Sequence, residues 1–160
     1  MIKVLFVCLG NICRSPLAEA IFKNLIKKEG LGKKIICDSA GTSDYHIGSG
    51  PDRRTLENAL KNKITIEHFA RQFIREDFEN YDYIIAMDKN NHANILSLLP
   101  FKNDHYDKVK YMRSFETDAE EILDVPDPYF GGEKGFQEVY EILHRTCLNL
   151  LHYIREKHNL

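Results

Sequence analysis

The chain has no tryptophan, only four cysteines and five prolines in 160 residues, and no run approaching the ~18 apolar residues that a membrane span takes. Four cysteines at irregular spacings, with no export signal, argue against the disulfide framework of a small secreted domain and for free thiols in a cytoplasmic protein. The apolar stretch Ile2 to Val7 is too short for a targeting segment and lacks a basic flank and a small-residue cleavage site. Charge of one sign is also missing. The formal net charge is −2, and no basic run exceeds the pairs Lys27-Lys28, Lys33-Lys34 and Arg53-Arg54, which leaves no electrostatic footprint for nucleic acid. No internal repeat, linker or low-complexity tract interrupts the chain. With 43% hydrophobic and 29% charged residues over this length, one globular domain covering residues 1–160 is expected.

What is present alternates strand and helix. Ile2 to Cys8 is continuously apolar apart from Lys3, the pattern of a strand buried on both faces. Ser15-Pro16 reads as an N-cap with a first-turn proline, followed by Leu17, Ile21 and Leu25 at helical spacing up to a stop near Gly30. A second strand is expected over Lys34 to Ala40, then a loop from Gly41 to Pro51 and a helix across Arg54 to Asn62. "YDYIIAM" at 81 to 87 is a third strand, leading into "DKNNHANILSLL" with Asp88 as N-cap, and a short fourth strand is expected over Lys108 to Met112. Phe136, Tyr140, Leu143, Cys147, Leu150 and Ile154 recur every three or four residues in a long closing helix from Glu133 to Lys157. The alternation predicts a small doubly wound, flavodoxin-like α/β domain: a four-stranded parallel sheet, helices on both faces, and the ligand site outside the carboxyl ends of the strands.

"CLGNICRSP" at 8 to 16 lies at such a place. A loop between a buried strand and a helix start presents unpaired N–H groups at the positive end of the helix dipole, which suits phosphate. Gly10 and Asn11 tolerate left-handed backbone angles, so successive amides can curl around one centre. Arg14 supplies a permanently charged fork for two phosphate oxygens. The field that holds phosphate also favours a thiolate, which makes Cys8 a candidate nucleophile. Taken alone, Cys8 fits the role of a small buried residue at a strand end; C-x5-R followed by serine in a strand-to-helix turn shifts the balance toward phosphate chemistry. A zinc site is a poor rival, since Cys8 and Cys13 have no second pair at ligand spacing. The nucleotide-binding loop differs as well, because it places Gly-Lys-Ser/Thr at the helix start.

"VLFVCLGNICRSPLAEAIF", together with "VPDPYF", "DSAGTSDYHIG", "HFARQF" and "DYIIAMD", resembles the low-molecular-weight protein tyrosine phosphatases over essentially the whole chain. The resemblance implies a protein-tyrosine-phosphatase that uses no metal or cofactor and acts on a phosphotyrosine-containing protein or a small aryl phosphate. It implies no nucleic-acid or membrane partner and at most weak self-association. By the same resemblance Cys8 attacks phosphorus, and the amides of Leu9, Gly10, Asn11, Ile12, Cys13 and Arg14 bind the equatorial oxygens. Ser15 assists the sulfur as a leaving group, and Asp127 is the general acid and then base. Composition alone does not choose Asp127 from eleven aspartates. Asn11, Ser39 and His68 match a polar network that supports the loop, and Tyr45, His46, Tyr129 and Phe130 match the substrate cleft. Cys13 matches a second loop cysteine, whose disulfide with Cys8 would shield the nucleophile from irreversible oxidation.

Two positions depart from the commoner pattern: many members carry Trp where Tyr45 stands, and some carry Tyr where Phe130 stands. Ile12 points the other way, because protein-arginine phosphatases that resemble this loop have Thr there, and an apolar residue fits an aromatic ring better than a guanidinium. A thioredoxin-coupled arsenate reductase would need two more cysteines after the third strand, and none lies between Asp82 and Pro126. A phosphocarrier subunit of a sugar transport system keeps phosphate on a loop cysteine without an acid for a phenol, so "DPYF" weighs against it. A non-catalytic phosphate-binding module would need Arg14 but not both Cys8 and Asp127.

Overall fold

The computed structural model describes residues 1–117, 123–129 and 131–160. Its central strand is β1 (Ile2–Cys8), where Val4 to Val7 are fully buried because both faces of the sheet are covered. On one side β1 pairs in parallel with β2 (Ile35–Gly41), and on the other with β3 (Tyr83–Ala86), which pairs in parallel with β4 (Val109–Tyr111). The strand order is β2-β1-β3-β4. Because the chain moves outward from β1 to β2 and then returns past β1 to β3, the crevice at the carboxyl ends of β1 and β3 is the topological switch point. The register sets Cys8, the last residue of β1, beside Gly41.

Side-chain alternation along β1 divides the interior in two. Val4, Phe6 and Cys8 face α1 (Arg14–Lys28) and α5 (Glu133–His158), packing with Leu17, Ile21, Phe22, Leu143 and Cys147. Phe6 and Phe22 meet edge to face with centroids 5.5 Å apart. Leu5 and Val7 face the opposite cluster, with Phe78 from α3 (Asp77–Asn80) and Ile95 from α4 (Lys89–Leu96). Each such buried side chain contributes roughly 1.5–3 kcal/mol to folding. α2 (Arg53–Lys61) packs outside α5. Among the described residues no helix is long and apolar enough to cross a membrane.

The helix signals act where the sequence puts them, with two corrections. Gly30 takes φ +67, and the Leu31 amide donates to Ile26 O at 2.9 Å, so α1 ends in a left-handed glycine turn sealed by the buried pair Leu31 and Ile26. Asp88 caps α4, its carboxylate accepting from the Asn91 amide at 2.7 Å. Ser15, expected as the N-cap of α1, lies inside the first turn: the helix begins at Arg14, and no side chain caps it. The Ser15 hydroxyl is turned inward, which leaves the amides at this helix end free for a ligand. Gly10 is the second correction, because the only glycines with positive φ among the described residues are Gly30 and Gly48. A Cβ at Gly10 would lie 3.0 Å from His46 Cδ2, so any larger residue there requires the His46 side chain to shift. The single-turn α3 and the 3-10 turns at Asp104–Lys108 and Met112–Phe115 were not expected; they are too short to show a hydrophobic period.

Candidate active site

The loop from Leu9 to Cys13 is curled by bonds that draw its carbonyls outward. Cys8 O accepts from the Thr42 amide (2.9 Å), Leu9 O from the Ser43 amide (3.0 Å) and Ile12 O from the Asp52 amide (2.8 Å). Asn11, at φ 57, supplies the left-handed turn. Among the described residues the amides of Gly10, Asn11, Ile12 and Cys13 donate to no protein acceptor, which leaves them available to a ligand. The Leu9 amide differs. With its side chain oriented so that the nitrogen donates to Asp88 Oδ1 (3.1 Å), buried Asn91 accepts from Leu9 N at 3.3 Å. Gly41 closes the back of the loop, where a Cβ would stand 2.7 Å from Leu9 O and 3.1 Å from Asn11 N.

A buried polar chain beneath the loop orients the nucleophile. The Asn11 amide nitrogen donates to Ser15 Oγ (2.8 Å) and Ser39 Oγ (3.0 Å), while Asn11 Oδ1 accepts from the Arg71 amide (3.0 Å) and faces His68 Nε2 at 2.7 Å. That pairing makes Nε2 the protonated ring nitrogen of His68. The Ser39 hydroxyl donates to Glu19 Oε1 (2.9 Å). Ser15 Oγ, which accepts from Asn11, lies 3.0 Å from the Cys8 sulfur and 3.4 Å from Ala40 O, so its single proton is shared between those two neighbours. One branch of this network thus reaches the sulfur through Asn11 and Ser15, and the other runs through Ser39 to Glu19.

His68 Nδ1 lies 3.3 Å from Glu19 Oε1. Burial lowers the histidine below its ordinary range and raises Glu19 above its own, despite the Lys23 ammonium 2.7 Å from Glu19 Oε2. Glu19, Asp38 and His68 offer three ligand atoms within 4.8 Å of one another. Lys23 on Glu19 and Arg71 Nε on Asp38 (3.2 Å) already balance those charges, so the cluster fits a partly exposed ion-pair network better than a metal site.

Arg14 joins the loop to the distant part of the chain. Its Nη1 donates to Asp88 Oδ2 (2.7 Å) and Val125 O (2.9 Å), and its Nη2 stands 3.6 Å from Asp127 Oδ2. Burial works against the Arg14 charge, and Cys8, Asp88 and Asp127 more than offset it, holding the guanidinium above its ordinary range. Asp127 is exposed, with its Oδ1 accepting from the Tyr129 amide at 3.0 Å. Above Cys8 and Arg14 opens a cleft of about 230 Å³ walled by Ile12, Tyr45, His46 and Tyr129, with Asp127 at its side. Its volume and largely apolar walls suit a flat ring held beside a phosphate.

All the expected site residues within the described chain therefore converge on this cleft or on the network below it; Phe130 lies outside the described residues. Cys13 is a buried free thiol lining the same cleft, pushed up to about 12 mainly by burial. Sequence reasoning missed Glu19, Arg71 and Asn91 and took Asp88 only as a helix cap. Glu19 carried a signal, being a charged residue in the otherwise apolar run "PLAEAIF". Arg71 and Asn91 are tied to the site through long-range packing and left no local trace.

Residues 3–160 match the family described as low molecular weight phosphotyrosine protein phosphatase. The chain is 44% identical to a low molecular weight protein-tyrosine-phosphatase of Bacillus subtilis, with each chain fully covered. It is similar to the crystal structure of a protein tyrosine phosphatase from Entamoeba histolytica, with TM-score 0.92 and 43% identity over 98% of this chain and 99% of that one. A Drosophila structure described as an arginine phosphatase is also similar, with TM-score 0.86 and 33% identity over 96% of this chain and 98% of the other.

Proposed function

This chain belongs to the low-molecular-weight phosphotyrosine protein phosphatases, a hydrolase family, and we propose from that premise how its residues divide the reaction. The Cys8 thiolate attacks phosphorus in line, forming the S–P bond as the bond to the phenol oxygen breaks. Asp127 gives its proton to the departing oxygen. The amides of Gly10 to Cys13 and the Arg14 fork hold the equatorial oxygens, so positioning and charge carry most of the rate. Water then attacks the phosphocysteine and loses a proton to Asp127, and the sulfur leaves, stabilised by the Ser15 hydroxyl. The observation that carries this reading is the Cys8 sulfur 3.0 Å from Ser15 Oγ in one cleft with Gly10, Ile12 and Cys13, whose amides have no protein acceptor, and with Arg14 reaching Asp127 at 3.6 Å.

Ile12, Tyr45 and Tyr129 support a phosphotyrosine-bearing protein as the substrate, because a ring packs against all three while a phosphoarginine would leave its guanidinium facing apolar walls. Four free thiols support a reducing, cytoplasmic setting. Tyr45, exposed at the cleft, and exposed Ile47 and Phe69 support weak self-association at most. The test is hydrolysis of an aryl phosphate with a chelator present, comparing wild type with Cys8→Ser and Asp127→Ala, followed by phosphotyrosine, phosphoserine and phosphoarginine peptides. Turnover confined to phosphotyrosine and lost in Cys8→Ser is expected; a fully active Cys8→Ser enzyme sinks the mechanism.

A further inference from the structure

Arg54 is held in an unusual way for a half-exposed arginine. Its Nε and Nη2 grip both carboxylate oxygens of Asp52, each at 3.1 Å, and its Nη1 points to Gly131 O at 3.5 Å. The flat guanidinium also lies against two rings, with its carbon 5.3 Å from the Tyr129 centroid and 4.8 Å from that of Phe136. Asp52 in turn donates its amide to Ile12 O of the phosphate loop at 2.8 Å. A strut thus runs from Ile12 through Asp52 and Arg54 to Tyr129 and Gly131, the residues that follow Asp127.

The segment around Asp127 is pinned at its start by other elements: the Val125 amide donates to Met87 O (2.7 Å), and Asp124 Oδ1 accepts from the Lys89 amide (2.9 Å). After Asp127, Arg54 is a side chain that ties the segment back to the phosphate loop, through Asp52 on one side and Gly131 O and the Tyr129 ring on the other. Behind Arg54 lies a groove of about 430 Å³ between α2 and α5, into which this part of the segment could relax if the strut were cut.

We infer that Arg54 is a positioning residue for the general acid: it fixes the separation between the phosphate loop and Asp127 by clamping Asp52 on one side and Tyr129 and Gly131 on the other. It touches neither phosphate nor leaving group, and it acts through Asp127, so the inference rests on the acid role proposed above. Only a planar fork can bind both carboxylate oxygens and lie flat on aromatic rings at once, and a lysine ammonium cannot.

The experiment compares kcat/KM for two aryl phosphates, phenyl phosphate, whose phenol needs the acid, and nitrophenyl phosphate, whose leaving group hardly needs it. It does so in wild type, Arg54→Ala, Arg54→Lys, Asp127→Ala and Arg54→Ala/Asp127→Ala. A displaced acid costs rate in proportion to the proton it must deliver. The expected result for Arg54→Ala is a loss of about tenfold on phenyl phosphate and less than about twofold on nitrophenyl phosphate, with little recovery in Arg54→Lys. In the Asp127→Ala background, removing Arg54 should cost nothing further on phenyl phosphate relative to nitrophenyl phosphate, since the two residues act as one unit. Equal losses on both substrates, or a selective loss that multiplies in the double variant, overturns the inference while leaving the acid role intact. If Asp127→Ala itself shows no selective loss, the acid assignment fails and this inference falls with it. Thermal unfolding of each variant separates a misplaced acid from a chain that no longer folds.

Discussion

The nucleophile loop and the acid segment stand side by side in one cleft and are built on opposite plans. From Cys8 to Ser15 the loop is largely buried: Asn11, Arg14 and Ser15 are at most 2% exposed, and every polar side-chain atom in the chain below Cys8 has a named partner. Asp127, by contrast, keeps 38% of its side chain in solvent and is held by one local amide and a 3.6 Å ion pair. The difference follows from the work each part does. A cradle for a dianion must be rigid before the ligand arrives, because donors that reorganise during the reaction lose their advantage. An acid that later activates water must be reachable by water.

Arg14→Ala is expected to give the largest effect and to test the rigid side of this contrast. Removing the phosphate fork should cut kcat/KM by about 10³ or more, at the upper end for one lost charge-stabilising donor. Leaving Asp88 without its partner should also cost about 3 kcal/mol of stability in denaturant unfolding, as for other broken buried pairs. Asp127→Ala, on the exposed side, should leave stability within about 0.5 kcal/mol of wild type. If the two variants destabilise the fold equally, the contrast between the regions is wrong.

Ser15→Ala sharpens the comparison within the loop. It removes the hydroxyl beside the Cys8 sulfur, and the effect should be about tenfold on kcat, the size of one charge-assisted hydrogen bond. Rapid-quench kinetics should show phosphocysteine accumulating after a burst of phenol; an unchanged breakdown rate would return Ser15 to a packing role. The smallest effect concerns His68, which burial holds below its ordinary range. Its folded state binds fewer protons than its unfolded state, so wild type loses this contribution as pH falls through the unfolded value of about 6.5 toward the lower folded one. His68→Gln should shrink the drop in melting temperature between pH 7.5 and pH 5.5, and an identical drop in both proteins would reject the linkage.

Much of the fold was legible because its signals are local. The apolar run of β1, the stop at Gly30, the Asp88 cap and the periodicity of α5 each act within a few residues of where they are written, and those elements form at or within a few residues of the expected bounds. The misreadings have a physical pattern. Ser15 and Gly10 satisfy rules for helix caps and turns, yet each serves a contact outside its own turn: the Ser15 hydroxyl lies against Cys8 across the loop, and Gly10 packs closely against His46. Gly41, at the edge of a loop by sequence, is required because parallel pairing brings it against Leu9 O and Asn11 N.

The sequence by itself determined the phosphate cradle, because a strand end, a curl and a helix start within eight residues already define where the amides and the thiol lie. The resemblance of several separate motifs added the acid. What only the tertiary structure decided is how those parts meet: Arg14 shared between Asp88, Val125 and Asp127, the polar chain from His68 and Asn11 to the sulfur, and the Arg54 strut. Apart from the local links Asp52–Arg54, Asn11–Ser15 and Ser15–Cys8, these contacts join residues well separated in the chain, and such pairs are set by strand register and helix packing, which no short stretch of chain contains.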